Sequence, residues 1–282
     1  MKVNMNEIVG QDDILFITLD TLRYDVANTE YLKGNLPNLC KDGPFEKRHS
    51  PGSFTYSAHW SFFSGFLPTP SEYVPLNKRE NLFFMKNQMV RDFNVDNTFL
   101  FEESNFIEAL KNKDYKTICI GGVIFFSKIN SLCSNLPNLF EYSYWNPKFG
   151  VTNKNSTEHQ VDFAIKTLEK LKKDERVFLF INVSAIHGPN YFYLDKYKDN
   201  KDGYNAKKNI LASEFDCVES QQAALSYVDK ALKPLFDYMK KRNRTFCIVT
   251  SDHGTCYGED GYEGHNLAHE AVWTIPYKHF FL

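Results

Sequence analysis

Two short apolar runs, far apart in the chain, each end in an aspartate, and this pairing constrains the fold more than any other feature. Residues 246–250, FCIVT, are apolar and β-branched, and they run into Ser251, Asp252, His253 and Gly254. Residues 14–19, ILFITL, deliver Asp20 in the same way. Runs of this length without alternation read as strands buried on both faces, the kind found inside parallel sheets. In such a sheet all strands end at one edge, which is where open α/β folds bind ligands. Asp20 and Asp252 are therefore expected as neighbours. An isolated Asp-His-Gly is more often a polar turn than a site, but the second strand shifts the reading to a site. Gly254 is expected to relax the backbone beside His253.

Residues 177–183, VFLFINV, make a third buried strand, and it leads to His187 at the same edge. Residues 117–120 make a fourth, ending in Gly121 and Gly122. Between the strands lie amphipathic spacings, with Val161, Ala164, Ile165 and Leu168 in one helix and Ala224, Val228, Leu232 and Leu235 in another. The first is expected over 155–174 and the second over 214–242, bent near Pro234. A shorter helix is expected over 105–113. The last eleven residues, VWTIPYKHFFL, read as a closing strand in which Pro276 implies an edge or a bulge. Pro37, Pro44 and Pro51 make the stretch after Asp20 irregular, and 69–101 gives few signals. Residues 190–205 suit a surface loop that covers a site. Alternating strands and helices predict an α/β fold, a three-layer αβα sandwich with a mostly parallel central sheet, as one domain over 1–282.

At 43% hydrophobic and 16% aromatic, the 282 residues can build a large core, which excludes intrinsic disorder. A formal net charge of -2 argues against general nucleic-acid or anionic-membrane binding. Basic clusters at 166–173 and 240–244 fall on helices with acidic residues interspersed, as solvated faces do. The six cysteines form no CxxC pair. No apolar leader and no membrane-spanning run are present in the sequence, so a cytoplasmic setting is expected.

Residues 50–68, with Trp60, Phe62, Phe63 and Phe66, predict a buried helix that starts at Thr55 to Ser57 and closes at Gly65 and Pro68. Thr55 then stands at a helix N-terminus, which favours an anion. A Ser or Thr at that place is far more often a cap than a nucleophile, so context must decide. Asp20, Thr55, Asp252 and His253 together offer three oxygens and one imidazole. Such a set suits a divalent ion, zinc or manganese before calcium or magnesium. Zinc lowers the pKa of bound water from about 15.7 to about 7. At about 1.4 kcal/mol per unit this exceeds the roughly 3 to 5 kcal/mol of a general base, so the ion and not His59 would activate Thr55.

The motifs ILFITLDTLRYD, TYSAHWSFFSG, AIHGPNYF, AALSYVDKALKPLF, IVTSDHG and GHNLAHEAVWTIP occur in this order. Together they resemble the alkaline phosphatase superfamily, most closely its sulfatase-like branch, across nearly the whole chain. The resemblance implies Asp20, Thr55, Asp252 and His253 as metal ligands and Thr55 as nucleophile. It also implies His187 and His265 as catalytic residues that contact the anionic group, with His59 a further candidate for substrate binding. A packed or capping role is commoner for single histidines, and it is the first expectation for His59, His269 and His279.

Thr55 stands where sulfatases carry the cysteine that becomes formylglycine, and this turns the resemblance towards phosphodiesterases and phosphoglycerol transferases. Val183 stands where two-metal members carry an aspartate, which leaves only His187, His265 and His269 for a second ion and favours one. The sequence ends where many sulfatases begin a small C-terminal subdomain, so the site is expected to be open or completed by another chain. The implied activity is hydrolysis or transfer of a phosphodiester or phosphomonoester through phosphothreonine, on a small-molecule, lipid or sugar ester. Sulfate or phosphonate hydrolysis is the alternative, as is an inactive relative that binds a metal or anion. Gly254, Cys256 and Gly258 also spell G-x-C-x-G, but a nucleophile elbow needs a helix straight after the nucleophile, and the glycine-rich GEDGYEG does not supply one.

Overall fold

The computed structural model describes residues 3–67, 72–83, 98–101, 105–197 and 214–282. Its strands are β1 (Asp13–Leu19), β2 (Glu46–His49), β3 (Asn81–Phe83), β4 (Thr98–Leu100), β5 (Lys116–Ile120), β6 (Tyr142–Tyr144), β7 (Val177–Val183), β8 (Thr245–Thr250), β9 (Cys256–Tyr257), β10 (Glu263–Gly264) and β11 (Thr274–Phe281). Seven of them form the central sheet in the order β2-β11-β8-β1-β7-β5-β6. The run β8-β1-β7-β5-β6 is parallel, and β11 is antiparallel to both of its neighbours. The sheet is therefore mixed and mostly parallel, as expected.

Successive side chains in a strand point to opposite faces, and β1 and β7 use this to divide the core. Leu15, Ile17, Leu19, Leu179, Ile181 and Val183 face an aliphatic layer built with the helices Tyr24–Leu32, Ser156–Leu168 and Val218–Arg242. Ile14, Phe16, Phe178 and Phe180 face an aromatic layer with Phe63, Phe126 and Phe140, closed by the helices Thr55–Ser64 and Phe106–Lys111. Each fully buried side chain of this size contributes roughly 1.5–3 kcal/mol, so the two layers hold the sheet from both sides.

The register then places the site. Thr18 lies beside Asn182 on one flank and Thr250 on the other. Two residues further along, Asp20, Ser184 and Asp252 come level at the same edge, beyond three adjacent parallel strands.

Several expectations are corrected. The stretch after Asp20 is not irregular throughout: it holds the helix Tyr24–Leu32, which buries Val26, Ala27 and Glu30, and the edge strand β2. Pro276 lies in an interior strand, with Lys47 of β2 beside it. Its missing N–H costs no ladder bond, because pairing with β8 begins only at Tyr277, and its carbonyl accepts from Ser251 N–H (3.2 Å) and Thr250 Oγ1 (2.9 Å). Tyr191 and Phe192 belong to a buried 3-10 turn against the Val218–Arg242 helix and not to a surface loop. Residues 198–205 of that expected loop, and Pro68 as a helix stop, lie outside the described residues.

Candidate metal centre

Each carboxylate in the cluster uses one oxygen to be held and leaves the other bare. Asp252 Oδ1 accepts the backbone N–H groups of Thr21 (3.2 Å) and His253 (3.0 Å). Asp20 Oδ2 accepts from Asn182 Nδ2 (3.0 Å) and lies 3.5 Å from the Thr55 hydroxyl. Asp20 Oδ1 and Asp252 Oδ2 are buried and have no hydrogen-bond partner. Native buried polar atoms are nearly always paired, so two such oxygens side by side call for a partner that is not a protein group. A divalent cation is the ligand these donors fit.

His253 supplies the imidazole. Its Nδ1 lies 2.8 Å from the Gly254 carbonyl and so carries the proton, which leaves the Nε2 lone pair facing the carboxylates. Nε2 is 3.4 Å from Asp252 Oδ2, 4.0 Å from Asp20 Oδ1 and 3.3 Å from Thr55 Oγ1. Among the described residues, Asp20, Asp252 and His253 are the group of His, Cys, Asp and Glu side chains with ligand atoms within 4.8 Å of one another.

Burial, reinforced for Asp20 by the charge of Asp252, pushes both carboxyls well above the usual carboxylate range. Burial pushes His253 down to about 4, against the pull of Asp20. These shifts are what a site built around a cation looks like without its charge, since a divalent ion would bring both carboxyls back down and hold His253 in the neutral form it already prefers.

Thr55 is the first residue of its helix and not the cap. Phe54 takes the cap position in extended backbone, and no side chain caps the first turn. The free amides of that turn therefore remain for an anion. Gly52 lies across the turn so closely that a Cβ there would come within 2.6 Å of the Ala58 nitrogen. Gly65 closes the helix in left-handed backbone (φ 66°), as expected.

His187 and His265 also reach this edge. The His265 ring lies 4.5 Å from the His253 ring and 5.5 Å from that of His187. Burial, then His253 and His187, push His265 down to about 3. Both line a cavity of about 300 Å³ with Thr21, Asp216 and Tyr257.

His59 is a correction among the site residues. It is fully buried, its Nδ1 sits 2.7 Å from the Thr55 carbonyl and its Nε2 3.0 Å from Thr18 Oγ1. With Phe62, Phe63, Phe126 and Phe180 around the ring, both nitrogens are engaged in the core and neither is left for a substrate. His269 caps the helix Glu270–Trp273 and pairs with Asp260 (3.2 Å), which removes it from any second ion site. Gly254 is also explained differently: a Cβ there would come within 1.9 Å of the Ala271 carbonyl oxygen, so close packing and not backbone freedom requires glycine. Cys256 lies in β9 with a 3-10 turn after it, which leaves the elbow reading without its helix.

Sequence reasoning missed Asn182, Thr21 and Gln221. Asn182 holds Asp20 and accepts the N–H groups of Gly122 (3.3 Å) and Val123 (3.0 Å). One signal was present, a lone amide inside the apolar run VFLFINV.

The parallel sheet, the helices on its two faces and the carboxylates and imidazole at its strand ends define a member of the alkaline phosphatase superfamily. The soluble domain of lipooligosaccharide phosphoethanolamine transferase A from Neisseria meningitidis has a similar structure (TM-score 0.62, 15% identity, covering 96% of this chain and 76% of that one). So do the C-terminal periplasmic domain of phosphoethanolamine transferase EptC from Campylobacter jejuni (0.59, 16%, 96% and 79%) and a putative sulfatase, yidJ, from Bacteroides fragilis (0.57, 15%, 96% and 68%). The Sulfatase family profile matches residues 12–278, and the chain belongs to that family. No curated protein matches it.

Proposed function

We propose that this protein is a metal-dependent enzyme that hydrolyses or transfers phosphate esters, either phosphodiesters or phosphomonoesters, through a covalent phosphothreonine at Thr55. The observation that carries the reading is the pair of buried, partnerless oxygens on Asp20 and Asp252, beside His253 Nε2, which lies 3.3 Å from the Thr55 hydroxyl. Leaving two carboxylates together out of water costs several kcal/mol per ion unless a cation answers them. Asp20, Thr55, Asp252 and His253 would hold one divalent ion, with zinc or manganese the best match to this donor set. When bound, the ion supplies Lewis acidity that makes the Thr55 hydroxyl more acidic and neutralises charge on the ester.

The remaining roles fall to the chain. Thr55 Oγ gives up its proton to solvent and bonds to phosphorus in line with the departing alkoxide, which leaves with the electron pair of the broken P–O bond. The uncapped first turn of the Thr55–Ser64 helix offers N–H groups to the non-bridging oxygens. With its pKa near 3, His265 is uncharged at neutral pH and acts as a hydrogen-bond donor to one of those oxygens. The Nδ1 of His187 is taken by the Gly188 carbonyl (2.6 Å), so its Nε2, when protonated, is the atom that hands a proton to the leaving group. Water then releases phosphate, or an alcohol takes the phosphoryl group. The names of the transferase relatives support the second outcome.

The family match supports a second reading, sulfate-ester hydrolysis. The two readings separate on p-nitrophenyl phosphate, bis(p-nitrophenyl) phosphate and p-nitrophenyl sulfate, each offered to zinc- and manganese-loaded protein. The expected result is turnover of a phosphate ester, a loss of at least about a thousandfold in Thr55→Ala, and a phosphorylated Thr55 peptide after acid quench. Turnover of the sulfate alone would favour the second reading. A metal-loaded protein inert to all three would mark a binding relative.

A further inference from the structure

Thr21 follows Asp20 directly and adopts left-handed backbone (φ 63°). A β-branched residue there is a genuine outlier, and such strain persists only where surrounding contacts enforce it. Three contacts to three parts of the chain do so. The Thr21 N–H donates to Asp252 Oδ1 (3.2 Å), its hydroxyl donates to the Ile186 carbonyl (3.4 Å), and its own carbonyl accepts from Gln221 Nε2 (2.9 Å). Gln221 is fully buried in the first turn of the Val218–Arg242 helix. Its Oε1 accepts the Arg23 N–H (3.2 Å), and its Nε2 also reaches the Tyr257 hydroxyl (3.1 Å). That hydroxyl accepts from Asn190 (3.2 Å), whose Nδ2 also donates to the Ile186 carbonyl (2.8 Å). One amide thus spans the segments after β1 and β8, and through Tyr257 and Asn190 it reaches the segment after β7. These segments carry Asp20, Asp252 with His253, and His187.

We propose that Gln221 is the positioning residue of the candidate metal centre. By holding the Thr21 peptide in its left-handed form it aims the Thr21 N–H at Asp252 Oδ1, and this leaves Asp252 Oδ2 turned to the ion. The inference rests on the metal-binding reading above and adds a residue that touches neither ion nor substrate. Its logic is that of outer partners around metal ligands, whose loss usually costs 10–100-fold in metal affinity.

The test is zinc affinity of the whole chain, measured by competition with a chromophoric chelator, alongside the melting temperature of the metal-free protein. Gln221→Leu is expected to bind zinc 10–100-fold more weakly. Gln221→Glu keeps the shape but turns an oxygen on the Thr21 carbonyl, and it is expected to lose affinity to a similar degree, which covers the case in which the leucine variant fails to fold. Thr21→Gly makes the left-handed backbone free of strain, so in that background Gln221→Leu is expected to cost distinctly less affinity than it does alone. A merely structural Gln221 would lower the melting temperature of both variants and leave zinc affinity of the folded protein unchanged, and that overturns the inference. Additive losses in the double variant overturn it too. If wild-type protein takes up no ion, the metal reading fails and this inference with it, whereas tight wild-type binding matched by Gln221→Leu sinks this inference alone.

Discussion

In the proposed centre Asp20, Asp252 and His253 each turn one side-chain atom to the cluster and secure themselves with another, and this division makes the roles proposed for them separable by mutation. His59 falls on the other side of that line. Burial pushes it down to about 3, so it is neutral and braces the Thr55 carbonyl from behind. His59→Phe should lower stability by about 1–3 kcal/mol through the side-chain hydrogen bonds lost to the Thr55 carbonyl and the Thr18 hydroxyl, with KM for any ester unchanged. Urea melts and steady-state kinetics check both halves, and a raised KM with intact stability would return His59 to the substrate. The carboxylates make a pH prediction for metal-free protein. The folded pKa of Asp252 is about 6 against an ordinary 3.8, raised by burial, so between those values the folded state binds more protons than the unfolded one. Taken alone, each such carboxyl makes stability fall as pH rises through that window, by up to about 1.4 kcal/mol per pH unit, while His59, His253 and His265, pushed down to about 3, 4 and 3 from 6.5, act in the opposite sense there. Asp252→Asn isolates the carboxyl share: chemical denaturation of metal-free protein at pH 4.5 and 6.5 should show stability climbing more steeply with pH in the variant than in the wild type, and an unchanged slope would contradict the electrostatics of the metal-free cluster. What was legible at this scale were the residues that end apolar runs, Asp20, Asp252 and His187, because strand ends announce themselves. Thr21 and Gln221 were not, since a hydroxyl and an amide acquire their meaning only from the backbone groups that fold across them.

At the scale of elements, the three buried strands that carry the site were legible from their unbroken apolar runs, and the long helices from their spacing. Strand β2 was not, because EKRH is exposed and charged throughout, the usual dress of an edge strand that must not recruit another chain. Pro276 misled for a related reason: a proline signals an edge only where a partner needs its N–H, and β8 has ended by then. The same junction makes the next prediction. Gly254 donates its N–H to the Val272 carbonyl (2.6 Å), and the Ala271 carbonyl fills the space a Cβ would need. Gly254→Ala must push the Glu270–Trp273 turn away from the His253 loop, and overpacking of this kind costs typically 1–3 kcal/mol. Because the displaced loop carries His253, metal affinity should fall along with the melting temperature. Loss of neither would show that the junction yields without moving the site.

The whole molecule works by convergence, with a sheet assembled from segments as distant as β1 and β11 bringing Asp20 and Asp252 level. No helix among the described residues is long and apolar enough to cross a membrane. The family rests on the profile match over residues 12–278, and the convergence supports the proposal on which the account depends, that Asp20, Thr55, Asp252 and His253 hold one ion. Anomalous scattering from crystals soaked with zinc tests it most directly. The account predicts one strong peak about 2.0–2.2 Å from Asp20 Oδ1, Asp252 Oδ2 and His253 Nε2, with Thr55 Oγ1 closing the shell. Crystals that bind zinc elsewhere, or leave those two carboxylate oxygens without a metal, would contradict it.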